Sequence, residues 1–267
     1  MSEGRISVVC APPFAKIVLD RPGKRNAMSL SMWRAVPTAI AEVSNRRDVE
    51  AILIEGAGEA FSAGADISEL EEMVANRQAG VCAIDAISAA EGAIAASSKP
   101  TIALIKGACV GGGLELAMAC DLRFATTGSS FMAPPARLGI AYSVASTRRL
   151  VALVGESRAA EMLFSPREMS AAEALAAGLV NAVYEQDQFA EATAKFLHGM
   201  LKHSLFSIMS AKQIIRAVRQ GHSTDTADIR ELRVRGFSEA DFAEGVAAFR
   251  ERRKARFSWG VVSRGVV

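Results

Sequence analysis

The 267 residues carry a net charge of +2 and are half hydrophobic, enough chain to bury a core without disulfide or metal staples. That charge excludes a protein built as a whole to grip polyanions, and no uninterrupted apolar run reaches the ~20 residues needed to span a bilayer. The opening Met1-Ser2-Glu3-Gly4-Arg5 lacks the basic-then-apolar layout of a secretory leader and is not an Arg-rich transit peptide, so a cytoplasmic protein without a membrane partner is expected. Cys10, Cys82, Cys109 and Cys120 show no CxxC spacing, and His198, His203 and His222 show no metal-ligand spacing. The thiols read as reduced, small apolar side chains, and no metal is expected.

In chain order, residues 6–10 and 14–19 read as two short strands around Ala11-Pro12-Pro13, a hairpin-like start. Residues 20–27 are loop chemistry centred on Pro22-Gly23. Ser29 then caps a helix whose apolar positions Met32, Trp33, Val36, Ile40 and Val43 recur at helical spacing. Pro37 lies inside that pattern and predicts a kink or a later helix start. Residues 49–55 form an apolar strand, followed by a small-residue loop over 56–64. A helical stretch covers 67–97, broken near Gly80 and stopped by Lys99-Pro100, and 101–105 is a second buried strand.

Gly111-Gly112-Gly113 leads directly into a helix over 114–120, and 121–126 and 129–132 are further short strands. Strands alternating with helices indicate an α/β domain with crossover connections. From residue 145 the pattern is mostly helical, with one more strand over 179–184. Three helices follow, over 204–220, 224–236 and 238–253, the last with Ser238 as its N-cap and Asp241 as a weak variant of the capping box. A boundary near residue 203 divides an α/β core, 1–203, from a C-terminal helical region, 204–267.

Two segments share a logic: each follows a buried strand, contains glycine and opens a helix. The first is Phe61-Ser62-Ala63-Gly64-Ala65-Asp66-Ile67 and the second runs from Gly107 through Gly111-Gly112-Gly113-Leu114-Glu115. Glycine lets backbone approach a ligand, and a helix N-terminus offers free N–H groups at the positive end of its dipole. Two such groups converging on one oxygen make an oxyanion hole; taken singly, each segment reads as a tight strand-to-helix turn. Neither is a Walker loop or a G-x-G-x-x-G fingerprint.

Together with Leu19-Asp20-Arg21-Pro22, Arg25-Asn26-Ala27-Met28, Cys120-Asp121, Ala172-Glu173-Ala174, Ala177-Gly178-Leu179-Val180, Ser238-Glu239 and Glu244-Gly245, in that order along nearly the whole chain, these segments resemble the enoyl-CoA hydratase/isomerase (crotonase) family. The resemblance implies a spiral of ββα units with a C-terminal helical region that trimerises, often as a dimer of trimers. It implies an acyl-CoA substrate, with coenzyme A part of the substrate and no separate cofactor. It places oxyanion-hole amides at Ala65 and Gly112 and the coenzyme A nucleotide against Lys24, Arg25, Ala27, Ala63 and Asp66. Arg252, in the basic run Arg250, Arg252, Arg253, Lys254 and Arg256, occupies a stretch that in relatives reaches the coenzyme's phosphate; a solvated helix end is the other reading of that run.

By the same resemblance Glu115 matches the first of the two glutamates with which hydratases activate water. The second normally follows a proline, and here Ala133-Pro134-Pro135-Ala136-Arg137 puts Pro135 at its place. Proline supplies neither acid nor base, and one such group is typically worth ~10²–10⁴-fold. Tyr142, in Gly139-Ile140-Ala141-Tyr142, resembles the methylmalonyl-CoA decarboxylase branch, which lacks the second glutamate, although that branch carries histidine where this chain has Ala65. Tyr142 is open between a catalytic group and a packed aromatic, and Arg137 between a carboxylate contact and an exposed loop residue. The expected activity is that of an acyl-CoA lyase working through a thioester enolate, hydratase-like with the single glutamate Glu115. A methylmalonyl-CoA-type decarboxylase and, in another class, an RNA-binding crotonase relative stand as alternatives; near-neutral charge gives the last little support, so no nucleic acid is expected.

Overall fold

β1 (Arg5–Ala11) and β2 (Phe14–Asp20) form the expected antiparallel hairpin in a computed structural model that describes residues 4–258. Met1, Ser2 and Glu3, part of the stretch read above for a leader, lie outside the described residues. α1 (Leu30–Ser44) follows, and the Ser29 hydroxyl accepts the Met32 amide at 3.3 Å, as its N-cap role predicts. The helix starts where expected and runs on through Pro37. A proline inside a helix costs about 3 kcal/mol, and burial of Met32, Trp33, Val36, Ile40 and Val43 on one face offsets it.

β3 (Ala51–Gly56) leads to α2 (Ile67–Ala75) and α3 (Arg77–Ala96). The break between them falls at Asn76, whose side chain accepts the Gln78 amide, and not at Gly80, which continues α3. An interior glycine costs a helix only about 1 kcal/mol, whereas an Asx cap starts a new one. β4 (Thr101–Ile105), β5 (Ala108–Val110) and α4 (Gly112–Ala119) follow, then β6 (Leu122–Thr126), β7 (Ser130–Met132), α5 (Pro135–Leu138), α6 (Val144–Val154) and α7 (Glu156–Phe164). β8 (Met169–Ser170), α8 (Ala171–Ala176), β9 (Ala182–Tyr184) and α9 (Phe189–Met200) close the α/β part. The last three helices are α10 (Leu205–Arg219), α11 (Ala227–Gly236) and α12 (Ala240–Glu251). Glu239 takes the N-cap position of α12; the Ser238 hydroxyl instead donates to the Arg235 carbonyl at 2.8 Å, ending α11 rather than starting α12.

The six-stranded sheet has the order β1-β2-β3-β4-β6-β9, parallel from β2 onward. β3 and β4 are buried on both faces, which is why they read as unbroken apolar runs. Ile52, Ile54, Ala103 and Ile105 face the larger core with α1, α3 and α4, while Leu53, Ile102 and Leu104 face a smaller one with Phe189 and Leu197 of α9. A second, shorter layer has the order β5-β7-β8 and is prolonged by single bridges, Ser62 to Cys109 and Met28 to Ala65. Three long-sheet strands are thus each followed by a short-layer segment and then a helix: β3, 61–65, α2; β4, β5, α4; β6, β7, α5. That repetition is the spiral of ββα units. Among the described residues one helix, α3, is long and apolar enough to cross a membrane. It packs against α1 and α4 and carries the buried Glu91, as a core helix does.

Lys212 of α10 is tied to this framework. Its buried ammonium meets Asp121 Oδ2 at 2.7 Å and donates to the Lys99 carbonyl at 2.8 Å, and the same Asp121 oxygen accepts the Thr101 amide at 2.7 Å. Removing one partner of a buried pair leaves the other uncompensated, so Lys212→Ala is expected to cost about 3 kcal/mol, read as a lower urea midpoint at an unchanged m-value.

Candidate active site

The short layer brings the two glycine segments side by side. The Phe61 amide donates to the Lys106 carbonyl at 2.7 Å, Ser62 to Ala108 at 2.9 Å, and Val110 back to Ser62 at 3.0 Å. On its other edge the first segment is paired to the loop after β2: Ala63 donates to Arg25 at 2.9 Å, Met28 to Gly64 at 2.7 Å, and Asp66 to Met28 at 3.0 Å. Gly64 has φ +98°, and a Cβ there would lie 2.9 Å from the Val110 carbonyl oxygen and 3.6 Å from the Gly112 nitrogen. Gly111, at φ +54°, turns the chain into α4. A Cβ on Gly112 would meet the Trp33 ring at 2.6 Å, so the α1 indole backs the helix start. The amides of Ala65 and Gly112 donate to no protein acceptor among the described residues.

Lys24, Arg25, Ala27, Ala63 and Asp66 are brought together in this arrangement. Asp66 is buried and receives Arg21 at 2.5 Å and Lys24 at 3.2 Å. Burial opposes its charge, but hydrogen bonds from Arg21, Ser68 and Lys24 outweigh that and hold the carboxyl well below the usual carboxylate range. Arg25 sits in the left-handed region at φ 48°. Arg252, the C-cap of α12 at φ 54°, is exposed and makes no hydrogen bond or ion pair to either segment among the described residues. Its neighbour Arg253 pairs with Glu244 and Glu251, which interrupts the basic run. Arg137 donates to the Pro166 carbonyl at 2.7 Å, a loop contact rather than a place in the site.

Glu115 stands in the first turn of α4 and is 7 % exposed. Burial lifts its carboxyl to about 8; the charge of Glu91 adds to the rise, while Ser146 and Arg149 pull against it. Tyr142 packs against the core, its hydroxyl buried without a protein partner among the described residues. Burial first, and then Glu115, push its phenol above the ordinary range, so it is a proton donor at neutral pH. Pro135 begins α5 and is buried, with its neighbour Pro134 lying against Gly111. The place expected for a second glutamate is therefore apolar wall. Cys109 and Cys120 are fully buried, and burial pushes the Cys120 thiol up to about 12, leaving both as inert packing groups, as the sequence predicts. Among the described residues no cluster of His, Cys, Asp or Glu has metal-binding geometry.

Three residues beside Glu115 escape the sequence reading. Glu91 on α3 is 2 % exposed, accepts the Ser146 hydroxyl at 2.7 Å and is ion-paired with Arg149. Ser146 and Arg149 both lie on α6, and α3 and α6 both pack against α4. The one available signal was a lone carboxylate in the otherwise uncharged run 86–96.

Free amides at a helix start and a buried carboxyl one turn on are groups that can serve acyl chemistry through an oxyanion. The model of the enoyl-CoA hydratase/isomerase family matches residues 13–259. The short-chain-enoyl-CoA hydratase of Clostridium acetobutylicum is 33% identical over 257 residues, covering 94% of each chain. The crotonyl-CoA hydratase of Syntrophomonas wolfei is 31% identical over 251 residues, covering 91% of this chain and 94% of its own. Among solved structures, an enoyl-CoA hydratase/isomerase family protein from Hyphomonas neptunium superposes with a TM-score of 0.90 at 41% identity, over 94% of this chain and 97% of that one. The chain belongs to the enoyl-CoA hydratase/isomerase family and has its fold.

Gly64 faces both a positive φ and a 2.9 Å contact with the Val110 oxygen. Gly64→Ala is expected to destabilise the fold by about 2–3 kcal/mol, measured as a fall in thermal midpoint, with Gly128→Ala, where a Cβ meets nothing within 4 Å, as the matched control.

Proposed function

We propose that this enzyme adds water across the double bond of 2-enoyl-CoA thioesters through an enolate held by the Ala65 and Gly112 amides, with Glu115 as its single glutamate. The observation that carries this reading is the buried Glu115 carboxyl one turn beyond the Gly112 amide, with the Ala65 segment zipped alongside. The hydratase names of relatives matching over most of the chain support it.

In this mechanism the thioester oxygen lies between the two amides. Ionised Glu115 takes one proton from water as the water oxygen bonds Cβ, and the π electrons move into the enolate. The new carboxylic acid then returns that proton to Cα as the enolate collapses. One carboxyl group serves as base and then acid, and the protein ends as it began. Lys24, Arg25, Ala27, Ala63 and Asp66 would hold the coenzyme A portion, with Arg252 reaching its phosphate. The reading includes assembly as a trimer or dimer of trimers, supported by the largely exposed Val218, Phe237 and Phe249 in the C-terminal helical region.

Decarboxylation is the second reading, favoured by the orphaned Tyr142 hydroxyl and the apolar Pro135. Loss of CO₂ makes the enolate without a base, and Tyr142 or protonated Glu115 would supply the proton. The readings differ in sign. Hydration needs ionised Glu115, so kcat/KM is expected to rise with pH through about 8; decarboxylation with Glu115 as donor would fall over the same interval. Mass spectrometry after separate incubations with crotonyl-CoA and methylmalonyl-CoA decides which product forms. Gain of water on the first is the expected result, and loss of CO₂ from the second would replace this reading. Glu115→Gln is expected to lower kcat for hydration by roughly 10²–10⁴-fold with an unchanged circular dichroism spectrum.

A further inference from the structure

Glu91 is a buried carboxylate that the mechanism above does not use. One oxygen accepts the Ser146 hydroxyl at 2.7 Å and is ion-paired with Arg149; the other, Oε1, is buried without a protein partner among the described residues. Leaving a buried acceptor unpaired costs about 1–3 kcal/mol, more for a charged group, which a purely structural ion pair has no reason to incur. The second such orphan in this region is the Tyr142 hydroxyl. Both lie close enough to Glu115 to act on it or be acted on by it.

We propose that Glu91 is the second carboxylate of this site, a positioning residue on α3 that, with the Ser146 hydroxyl and the Arg149 guanidinium it holds on α6, sets the pH at which Glu115 works. The inference rests on the assignment of Glu115 as the catalytic group.

The groups facing Glu115 come from each packed element. Glu91 comes from α3, Ser146 and Arg149 from α6, and the Tyr142 phenol, on which the Cys109 thiol of β5 also bears, from the loop before α6. Of these, Glu91 contributes negative charge and Arg149 positive charge. Burial does most to favour the neutral form of Glu115, and the Glu91 charge reinforces it. Ser146 and Arg149 act the other way, on Glu115 itself and by holding Glu91. Glu91, Ser146 and Arg149 are therefore one hydrogen-bonded unit whose members can be removed singly, with opposite expected signs at Glu115.

The test is the pH profile of kcat/KM for crotonyl-CoA hydration. Glu91→Gln keeps an oxygen for Ser146 and Arg149 but removes the charge, so the midpoint is expected to move down from about 8 toward the ordinary glutamate range. kcat should fall on the order of tenfold to a hundredfold, with KM changing less than kcat. Glu91→Asp, which keeps the charge, should hold the midpoint near that of the parent. Ser146→Ala removes a hydroxyl that favours the ionised form of Glu115 and should move the midpoint up; it also reads the link if Glu91→Gln fails to fold. A uniform loss of rate in Glu91→Gln or Ser146→Ala with the parent midpoint retained would overturn the proposal and leave Glu91 a structural residue. Failure of the underlying assignment looks different: Glu115→Gln would then retain both hydration and the midpoint.

Discussion

The backbone at Gly64 runs so close to the backbone at Val110 and Gly112 that no side chain fits between them. This close approach depends on the hydrogen bonds from residues 61–63 to both neighbours, Lys106 and Ala108 on one edge and Arg25 on the other. It fixes the distance between the Ala65 and Gly112 amides, because each follows directly from a residue held in that ladder. A Cβ at Gly64 would push the segments apart, and a Cβ at Gly112 would collide with Trp33. The spacing of the two donors is thus set by main chain and by an indole from α1, with little freedom to drift. Preorganised donors of this kind need no rearrangement when charge develops on a bound oxygen.

Into the same small volume the fold puts a carboxyl group. Burying an ionised carboxylate without partners is costly enough that the group takes up a proton instead, and Glu115 follows that rule. Its position in the first turn of α4 opposes the effect, since the helix dipole favours a negative charge there. Arg149 and Ser146 oppose it as well, and the balance leaves the group titrating at about 8, near neutral pH, where one carboxyl can accept and return a proton. Arg123, buried on β6, completes the setting of α4 from its other end by donating to the Cys120 carbonyl at 2.8 Å, so the helix bearing Glu115 is satisfied at its C-terminus.

Much of this was legible in the chain because the determinants are local. The β3 and β4 runs are apolar since both faces are buried, and Gly111-Gly112-Gly113 reads as a helix start because its backbone needs the absence of side chains. Elements fixed by pairing with distant segments were not legible. β5 and β8 are three and two residues long and exist only because β7 lies between them. The helix break falls at Asn76 rather than Gly80 because an Asx cap starts a helix where an interior glycine only weakens one, and Ser238 closes α11 rather than opening α12. Glu91 is not legible for a different reason. A carboxylate on an alanine-rich helix looks like a solvent-facing residue until α6 places Arg149 against it.

The apolar Pro135 and the buried Glu91 make sense together. Two carboxylates near one oxyanion site already force the one farther from a cation toward its neutral form. A third at position 135, beside Pro134 and Gly111, would enter the same water-poor shell with Arg149 already engaged by Glu91. Its charge would have to be neutralised by a proton, or it would drive Glu115 further from ionisation. A proline there adds no charge and fixes the start of α5 with its own ring. On the proposed reading the chain would draw its second acid from α3 rather than from the loop after β7. An acid placed there would influence where Glu115 titrates without itself needing to reach a bound acyl group, and the proton traffic of the proposed hydration would then converge on Glu115.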